Sequence, residues 1–308
     1  MPSSSPPRTE APPLTRVERA RPLLGTLVAI RVDATPAVAT PALAAAFAAI
    51  EAVHGAMSFH DPDSPLSRLN REAALGPVAV DRPSWRVLRA SLALARASQG
   101  RFDPAVGARL VQWGQLPAPD GPACDPDADW RDVELLPGRQ VRFRRRLWLD
   151  FGGIAKGHAV DSGIAILKAQ GIRNGEVTAG GDSRVLGDRR GRPWVIGIRH
   201  PDDRNRVIAR IPLEDAAIST SGDYERFFDE DGVRYHHIID PKTGKSPHGV
   251  RSVTVIAPTS TLAEGLTKSV FIMGPERGLA LVETQPDCDA VVVTAEGKVL
   301  YSKGLAAP

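Results

Sequence analysis

Short strand-like segments crowd the second half of this chain, with no helix between most of them. Residues 175–179, 183–187, 194–199, 206–212, 216–219, 234–239 and 251–257 read as strands, bounded by Gly, Pro, Asp and Ser. A doubly wound parallel sheet alternates strand with helix, so runs of strands argue an α+β fold with mixed or antiparallel sheets. Helices are predicted over about 41–57 (where Thr40-Pro41 suits a helix start), from Pro83 to Ser98, and as a short piece ending near Gly114. Further helices run from DFGGIAKG (150–157) to about Ala169, over 261–273 and over 275–284. Leu23–Val32 reads as a strand, 132–150 as a hairpin turning at Pro137-Gly138, and 289–294 with 298–302 as a closing strand pair. Residues 58–70 read as a polar loop, and 115–131 as a Pro/Asp/Gly-rich surface excursion.

A chain of 308 residues can bury one large core or two smaller ones. Its first residues, MPSSSPPRTEAPPLTRVERARP, carry no apolar signal region and read as a disordered tail over 1–20, leaving 21–308 as the folded domain. No apolar run reads as long enough to span a membrane, and a cytoplasmic location is expected. The formal charge of +3 gives no basic stripe, which argues against a nucleic-acid partner. The densest basic run, RFRRR (142–146), reads as a solvated hairpin edge. The two cysteines, Cys124 and Cys288, have no metal-ligand or redox spacing.

Chemistry concentrates in a few segments. Asp150–Gly157 is a glycine-rich turn entering a helix, where backbone N–H groups attract anions and Lys156 adds positive charge. Ala179-Gly-Gly-Asp182 and Ser219-Thr-Ser-Gly-Asp223 are two more glycine turns after strands. Together they suit one elongated, phosphate-bearing ligand lying across strand ends; the alternative is three simple β-turns. Of the adjacent histidines His236 and His237, at most one faces a pocket, because neighbours on a strand point to opposite faces. His237 suits a base better, with Asp240 close behind to orient it. Glu264 and Lys268 stand four apart on a predicted helix, a spacing that by itself reads as a surface ion pair, with Thr267 sharing much of their face.

These segments, in this order, resemble the FAD:protein FMN transferase (ApbE-like) family. The resemblance runs through LLGT (23–26), MSFHDPDSPLSRLN (57–70), GRFDPAVGARLVQWG (100–114), LDFGGIAKGHAVD (149–161), AGGD (179–182), TSGDYERFF (220–228), HHIIDPKTGKSP (236–247) and SVTVIAPTSTLAEGLTKSVFIMG (252–274). It implies a two-lobed fold with an FAD cleft between the lobes, transfer of FMN to a threonine of a target flavoprotein with release of AMP, and Mg²⁺. Some members instead hydrolyse FAD to FMN and AMP. The resemblance places Gly152, Gly153, Lys156 and Gly157 at the pyrophosphate, with Gly180, Gly181, Thr220, Ser221 and Gly222 flanking the cofactor. Phe59 or His60 packs on the flavin, and Asp103 and Asp161 contact FAD or hold the site. His237 serves as base, also beside the cofactor, with Asp240 orienting it. The metal would take the Ala155 carbonyl, Glu264 and Thr267.

Two departures matter. Glu264 stands where the family has Asp, and Lys268 where it has Thr, both metal ligands. An ammonium cannot ligate a hard cation, but Lys268 could meet the pyrophosphate as a point charge. Three readings stand: a transferase using either Mg²⁺ or Lys268, an FAD-binding homologue without transfer, and an FAD pyrophosphatase. The intact His237 segment favours the first.

Overall fold

Leu24 and Gly25 both take positive φ, 56° and 69°, and close a two-residue hairpin turn between β1 (Thr15–Leu23) and β2 (Thr26–Ala34). The computed structural model describes residues 14–305 except 202, 204, 225, 226, 231, 232 and 237, with only the backbone at 228–230 and 233–235. The hairpin corrects the tail expected over 1–20, because residues 15–20 are paired to β2. This edge strand is exposed along nearly its whole length and carries charges, as edge strands do, so its composition reads as a tail. Its cross-strand pairs, Arg16–Asp33 at 3.1 Å and Glu18–Arg31 at 3.0 Å, hold it in register.

The first helix, α1 (Pro36–Ala56), begins at Thr35-Pro36 rather than at the similar Thr40-Pro41, leaving Pro41 inside it. By length and composition α1 could cross a membrane, contrary to the expectation that no segment could. It instead buries Ala42, Leu43, Ala46, Phe47, Ile50 and Val53, the placement of a core helix. The second part of the loop expected at 58–70 is instead helical, in α2 (Pro65–Glu72). Ser64 Oγ accepts from Ser67 N at 3.0 Å as N-cap, and Pro65 opens the helix. Then come β3 (Val78–Ala79), α3 (Arg82–Ala97) and α4 (Gly107–Gln112). The expected hairpin is β4 (Val133–Leu136) with β5 (Gln140–Phe143), turning at Pro137–Arg139 and joined by β3. Its basic run is neutralised locally: Arg142 and Arg144 bind Glu134, and Arg145 binds Asp132.

The remaining elements are α5 (Ala155–Ala169), β6 (Gly175–Ala179), β7 (Asp182–Leu186), β8 (Trp194–Arg199), β9 (Val207–Leu213), β10 (Ala217–Gly222), β11 (Phe227–Glu230), β12 (Val233–His236), β13 (Val250–Ala257), α6 (Ser260–Met273), α7 (Pro275–Glu283), β14 (Asp289–Thr294) and β15 (Val299–Tyr301). Among the described residues, eight strands form one sheet in the order β1-β2-β6-β7-β10-β13-β14-β15, antiparallel at every pairing. The fold is α+β, as the strand runs imply. Helices α1, α5 and α6 pack over one face, around Phe47, Ile50, Phe151 and Phe271. The β8–β9 hairpin packs Trp194, Ile198 and Leu213 on Val185, Ile218 and Val291 of the other face. The antiparallel sheet thus alternates inward residues to two cores.

Candidate active site

Helices α5 and α6 cap one another. Asp161 on α5 accepts from Ser260 N and Thr261 N, both at 2.9 Å, satisfying the first donors of α6. Glu264 on α6 accepts from Gly157 N at 2.7 Å, in the first turn of α5. The exchange requires the two backbones to come very close. A Cβ on Gly157 would lie 2.6 Å from the Ser260 carbonyl carbon and 2.8 Å from Thr261 N. This fixes the glycine at 157 and sets Lys156 beside α6.

Lys156 Nζ donates to Glu264 Oε1 at 2.7 Å and to Asp182 Oδ2. Asp182 Oδ1 accepts from Ser219 Oγ at 2.5 Å. Both carboxylates are sealed from water, Asp182 at 1% and Glu264 at 0% exposure. Burial pushes the Glu264 carboxyl above its usual value and Asp182 pushes the same way, while Lys156 and Lys268 oppose them. Burial opposes the charge on Lys156, yet Asp182 and Glu264 together raise its pKa. The bland reading of Glu264 and Lys268 as a surface pair therefore fails. Glu264 turns inward to Lys156, and Lys268 Nζ donates to Ser221 Oγ at 2.5 Å. Ser221 Oγ lies 2.7 Å from Thr267 Oγ1, which donates back to the Glu264 carbonyl at 2.7 Å. The stem of Lys268 runs past the glycine turn, its Cγ 3.5 Å from where a Gly153 Cβ would sit.

One network therefore joins Gly153, Lys156, Gly157, Ser221, Glu264, Thr267 and Lys268 of the expected site. Asp182 and Ser219 belong to it as well and were missed, although AGGD already shows an acid directly after a backbone turn. Gly181 adjoins it from β6–β7, its Cβ position 2.6 Å from the Thr220 carbonyl, and Gly180 sits over Thr26. Thr220 Oγ1 pairs with Thr254 Oγ1 at 2.9 Å, and Gly222 packs under the Tyr224 ring.

Other expected residues take separate places. Asp161 is occupied by α6 and by Arg184, 2.7 Å away. Phe59 is buried in the main core. His60 is exposed and within the field of Asp150, whose carboxyl burial pushes up. Asp150 Oδ2 accepts from Gly152 N at 2.9 Å, shaping the glycine turn. Asp240 forms an ion pair with Arg101 at 2.5 Å and accepts from Lys242 N at 2.9 Å, tying the DPKTG turn to the GRFDP corner. His237 lies outside the described residues. Its neighbour His236 is buried, with Nε2 3.0 Å from the Pro247 carbonyl and its ring edge-on to Phe271.

Asp103 caps the turn at Pro104–Val106, accepting from Ala105 N at 2.8 Å. Burial raises its pKa to about 6 from the usual 3.8, against the lowering effect of the Ala105 and Trp130 N–H groups. A carboxyl raised on folding favours the folded state below 3.8, and that advantage is lost as pH climbs through about 6. Asp103→Asn keeps the acceptor for Ala105 N, gives up the longer contact from Trp130 N, and carries no charge. The variant should gain on the wild type from pH 4 upward and level off near pH 7, at most ~2 kcal/mol ahead because solvent reaches part of the carboxyl. Urea melts at four pH values would show it; a constant offset would exclude this origin.

The donors an implied Mg²⁺ would need are already engaged. Both Glu264 oxygens already accept from Lys156 and Gly157, and the Thr267 hydroxyl is engaged at both ends. An ammonium stands where a further oxygen ligand is needed, and Mg²⁺ demands a near-octahedral oxygen shell. No group of three His, Cys, Asp or Glu side chains suited to a metal occurs among the described residues. The residues as arranged do not fit the ion.

An α+β fold with a glycine-rich helix entry, and ammoniums set among buried carboxylates beside it, is suited to a phosphate-bearing ligand. The chain belongs to the ApbE family, whose model matches residues 24–292. It is 35% identical to an FAD:protein FMN transferase of Treponema pallidum, over 93% of this chain and 87% of that protein. It is 37% identical to one from Vibrio cholerae, over 76% and 74%. Its structure resembles the ApbE protein of Thermotoga maritima (TM-score 0.83, 32% identity, 94% of this chain and 98% of that one). It also resembles the flavin transferase ApbE from Vibrio cholerae (TM-score 0.82, 32% identity, with the same coverage).

Proposed function

We infer that this chain is an FAD:protein FMN transferase, moving FMN from FAD onto a protein acceptor. The observation that carries the reading is the network joining the DFGGIAKG turn to α6 and β10, in a chain of the ApbE family. Phosphoryl transfer from a pyrophosphate needs fixed positive charge, backbone donors and an aligned hydroxyl. Gly152 and Gly153 allow backbone approach to the pyrophosphate, while Gly157 and Lys156 hold that turn on α6. Gly180, Gly181, Thr220, Ser221 and Gly222 flank the cofactor at the strand ends. His60 is the aromatic presented to the flavin, since Phe59 is enclosed by the core. The acceptor is a flavoprotein threonine, and His237 takes its proton. Asp240, fixed by Arg101, anchors the turn after His237.

The reading is tested by incubating the chain with FAD and the acceptor domain of a threonine-flavinylated protein. The acceptor should gain the mass of one FMN, and AMP should appear in equal amount. AMP and FMN in solution with an unmodified acceptor would mean a pyrophosphatase. Bound FAD with neither product would mean a flavin-binding homologue.

A further inference from the structure

We propose that Lys268 supplies, from within the chain, the positive charge that the pyrophosphate of FAD requires, so that binding and transfer need no divalent metal ion. The proposal rests on the transferase reading for its substrate, and on the network for its geometry.

Position is the first ground. The Lys268 stem lies along Gly153 in the glycine-rich turn, and its ammonium is held on Ser221 Oγ at 2.5 Å. Ser221 is itself fixed by Thr267 at 2.7 Å, on the same turn of α6. A flexible lysine is thereby pinned at both stem and tip, so the charge is already in place before the ligand arrives.

Charge balance is the second. Asp182 and Glu264 both bond to Lys156, so one positive charge is shared between two buried carboxylates and none is left over for a ligand. A pyrophosphate entering beside them brings further negative charge and calls for a further cation. Lys268 is close enough for its charge to act on Glu264.

Donor chemistry is the third. A divalent ion at Glu264 and Thr267 would have to displace Lys156 and the Gly157 N–H from the carboxylate and then stand beside the Lys268 ammonium. Two cations in one low-dielectric pocket repel strongly. An ammonium already in that pocket excludes the ion and does its electrostatic work.

In the step itself, the acceptor threonine oxygen forms a new bond to the FMN phosphorus, and the bond from that phosphorus to the bridging oxygen breaks. AMP leaves with the bridging oxygen as its phosphate monoester, and the hydroxyl proton passes to the base. No electrons change hands. Lys268 keeps its proton throughout and stabilises charge on the non-bridging and leaving oxygens.

The test uses the full chain and reads FAD affinity by flavin fluorescence, in EDTA and in MgCl₂, alongside acceptor mass. The proposal expects equal affinity in both buffers and no saturable heat when MgCl₂ is titrated into the FAD complex. Lys268→Gln should weaken FAD binding about tenfold or more, while Lys268→Arg, which keeps the charge, stays within a few fold of wild type. Transfer by Lys268→Gln should fall ~10²- to 10³-fold. Glu264→Asp with Lys268→Thr should acquire Mg²⁺-dependent FAD binding. FAD affinity that collapses in EDTA, saturable Mg²⁺ binding by the wild type, or wild-type affinity in Lys268→Gln would each overturn the proposal. A wild type that never modifies the acceptor would defeat the transferase reading alone, because the affinity arms decide the role of Lys268 separately. Circular dichroism of Lys268→Arg and Lys268→Gln guards against a folding defect.

Discussion

Lys156→Met should cost about 3–5 kcal/mol of stability and remove FMN transfer, because removing one partner of a buried ion pair leaves uncompensated charge behind. Asp182 and Glu264, at 1% and 0% exposure, would face each other with no cation between them. The loss should depend on pH. Burial and Asp182 already hold the Glu264 carboxyl above its usual 4.5, and removing Lys156 removes a lowering influence, so it rises further. A carboxyl raised on folding favours the folded state below its unfolded value, and that advantage disappears as pH climbs through the folded one. The penalty of Lys156→Met is therefore largest at pH 7–8 and shrinks as pH falls toward 4.5. The wild type behaves differently at high pH. Lys156 has a raised pKa, so its contribution is present below 10.5 and fades only above it. Adding Asp182→Asn and Glu264→Gln to Lys156→Met should restore most of the stability, since neutral amides carry no buried charge, but not the activity. Urea melts from pH 4.5 to 8 would decide the matter; a penalty independent of pH would mean that packing, not charge, is lost.

The same network explains what the sequence could and could not show. The entry into α5 was legible because DFGGIAKG puts its glycines immediately before an apolar-periodic run. Most strands of the antiparallel sheet were legible from alternation and the turn residues between them. β1 was not, because an exposed edge strand alternates charge with charge and offers no apolar face to count. α2 was not, because eight residues with only Leu66, Leu69 and Asn70 buried give too short a stripe, even though Ser64-Pro65 is a sound helix start.

Partners across the fold were the least legible. Spacing on α6 says that Glu264 and Lys268 are neighbours, but not which element faces them. Glu264 meets Lys156 across 108 positions of sequence, and Asp182 meets it across 26. Those meetings follow from the packing of α5 against α6 and β7, which no local pattern records. Motif order located the site. Tertiary packing assigned Asp161 to a helix end, Asp240 to Arg101 and Glu264 to an ammonium.

Gly157→Ala should cost about 3 kcal/mol, the upper part of the range for overpacking, and should impair FAD binding more than its size suggests. The new methyl would meet the Ser260 carbonyl and Thr261 N, which are backbone atoms of α6 that cannot rotate away. Relief requires the helices to separate at their point of reciprocal capping. Separation stretches the Gly157 N–H bond to Glu264 at 2.7 Å, and the Asp161 bonds to Ser260 and Thr261 with it. It also moves Lys156 off its carboxylates and shifts Lys268 relative to Gly153, so the charges that meet the pyrophosphate lose their setting. Gly265→Ala is the matched control. Its methyl would meet Leu94 Cδ1, the end of a side chain that can change rotamer, one residue beyond Glu264. That variant should lose no more than about 1 kcal/mol and bind FAD nearly as the wild type does. Thermal melts and flavin titrations of the pair separate the two cases. Equal losses in both would mean that added volume alone matters at the α5–α6 contact, and that reciprocal capping does not set the site.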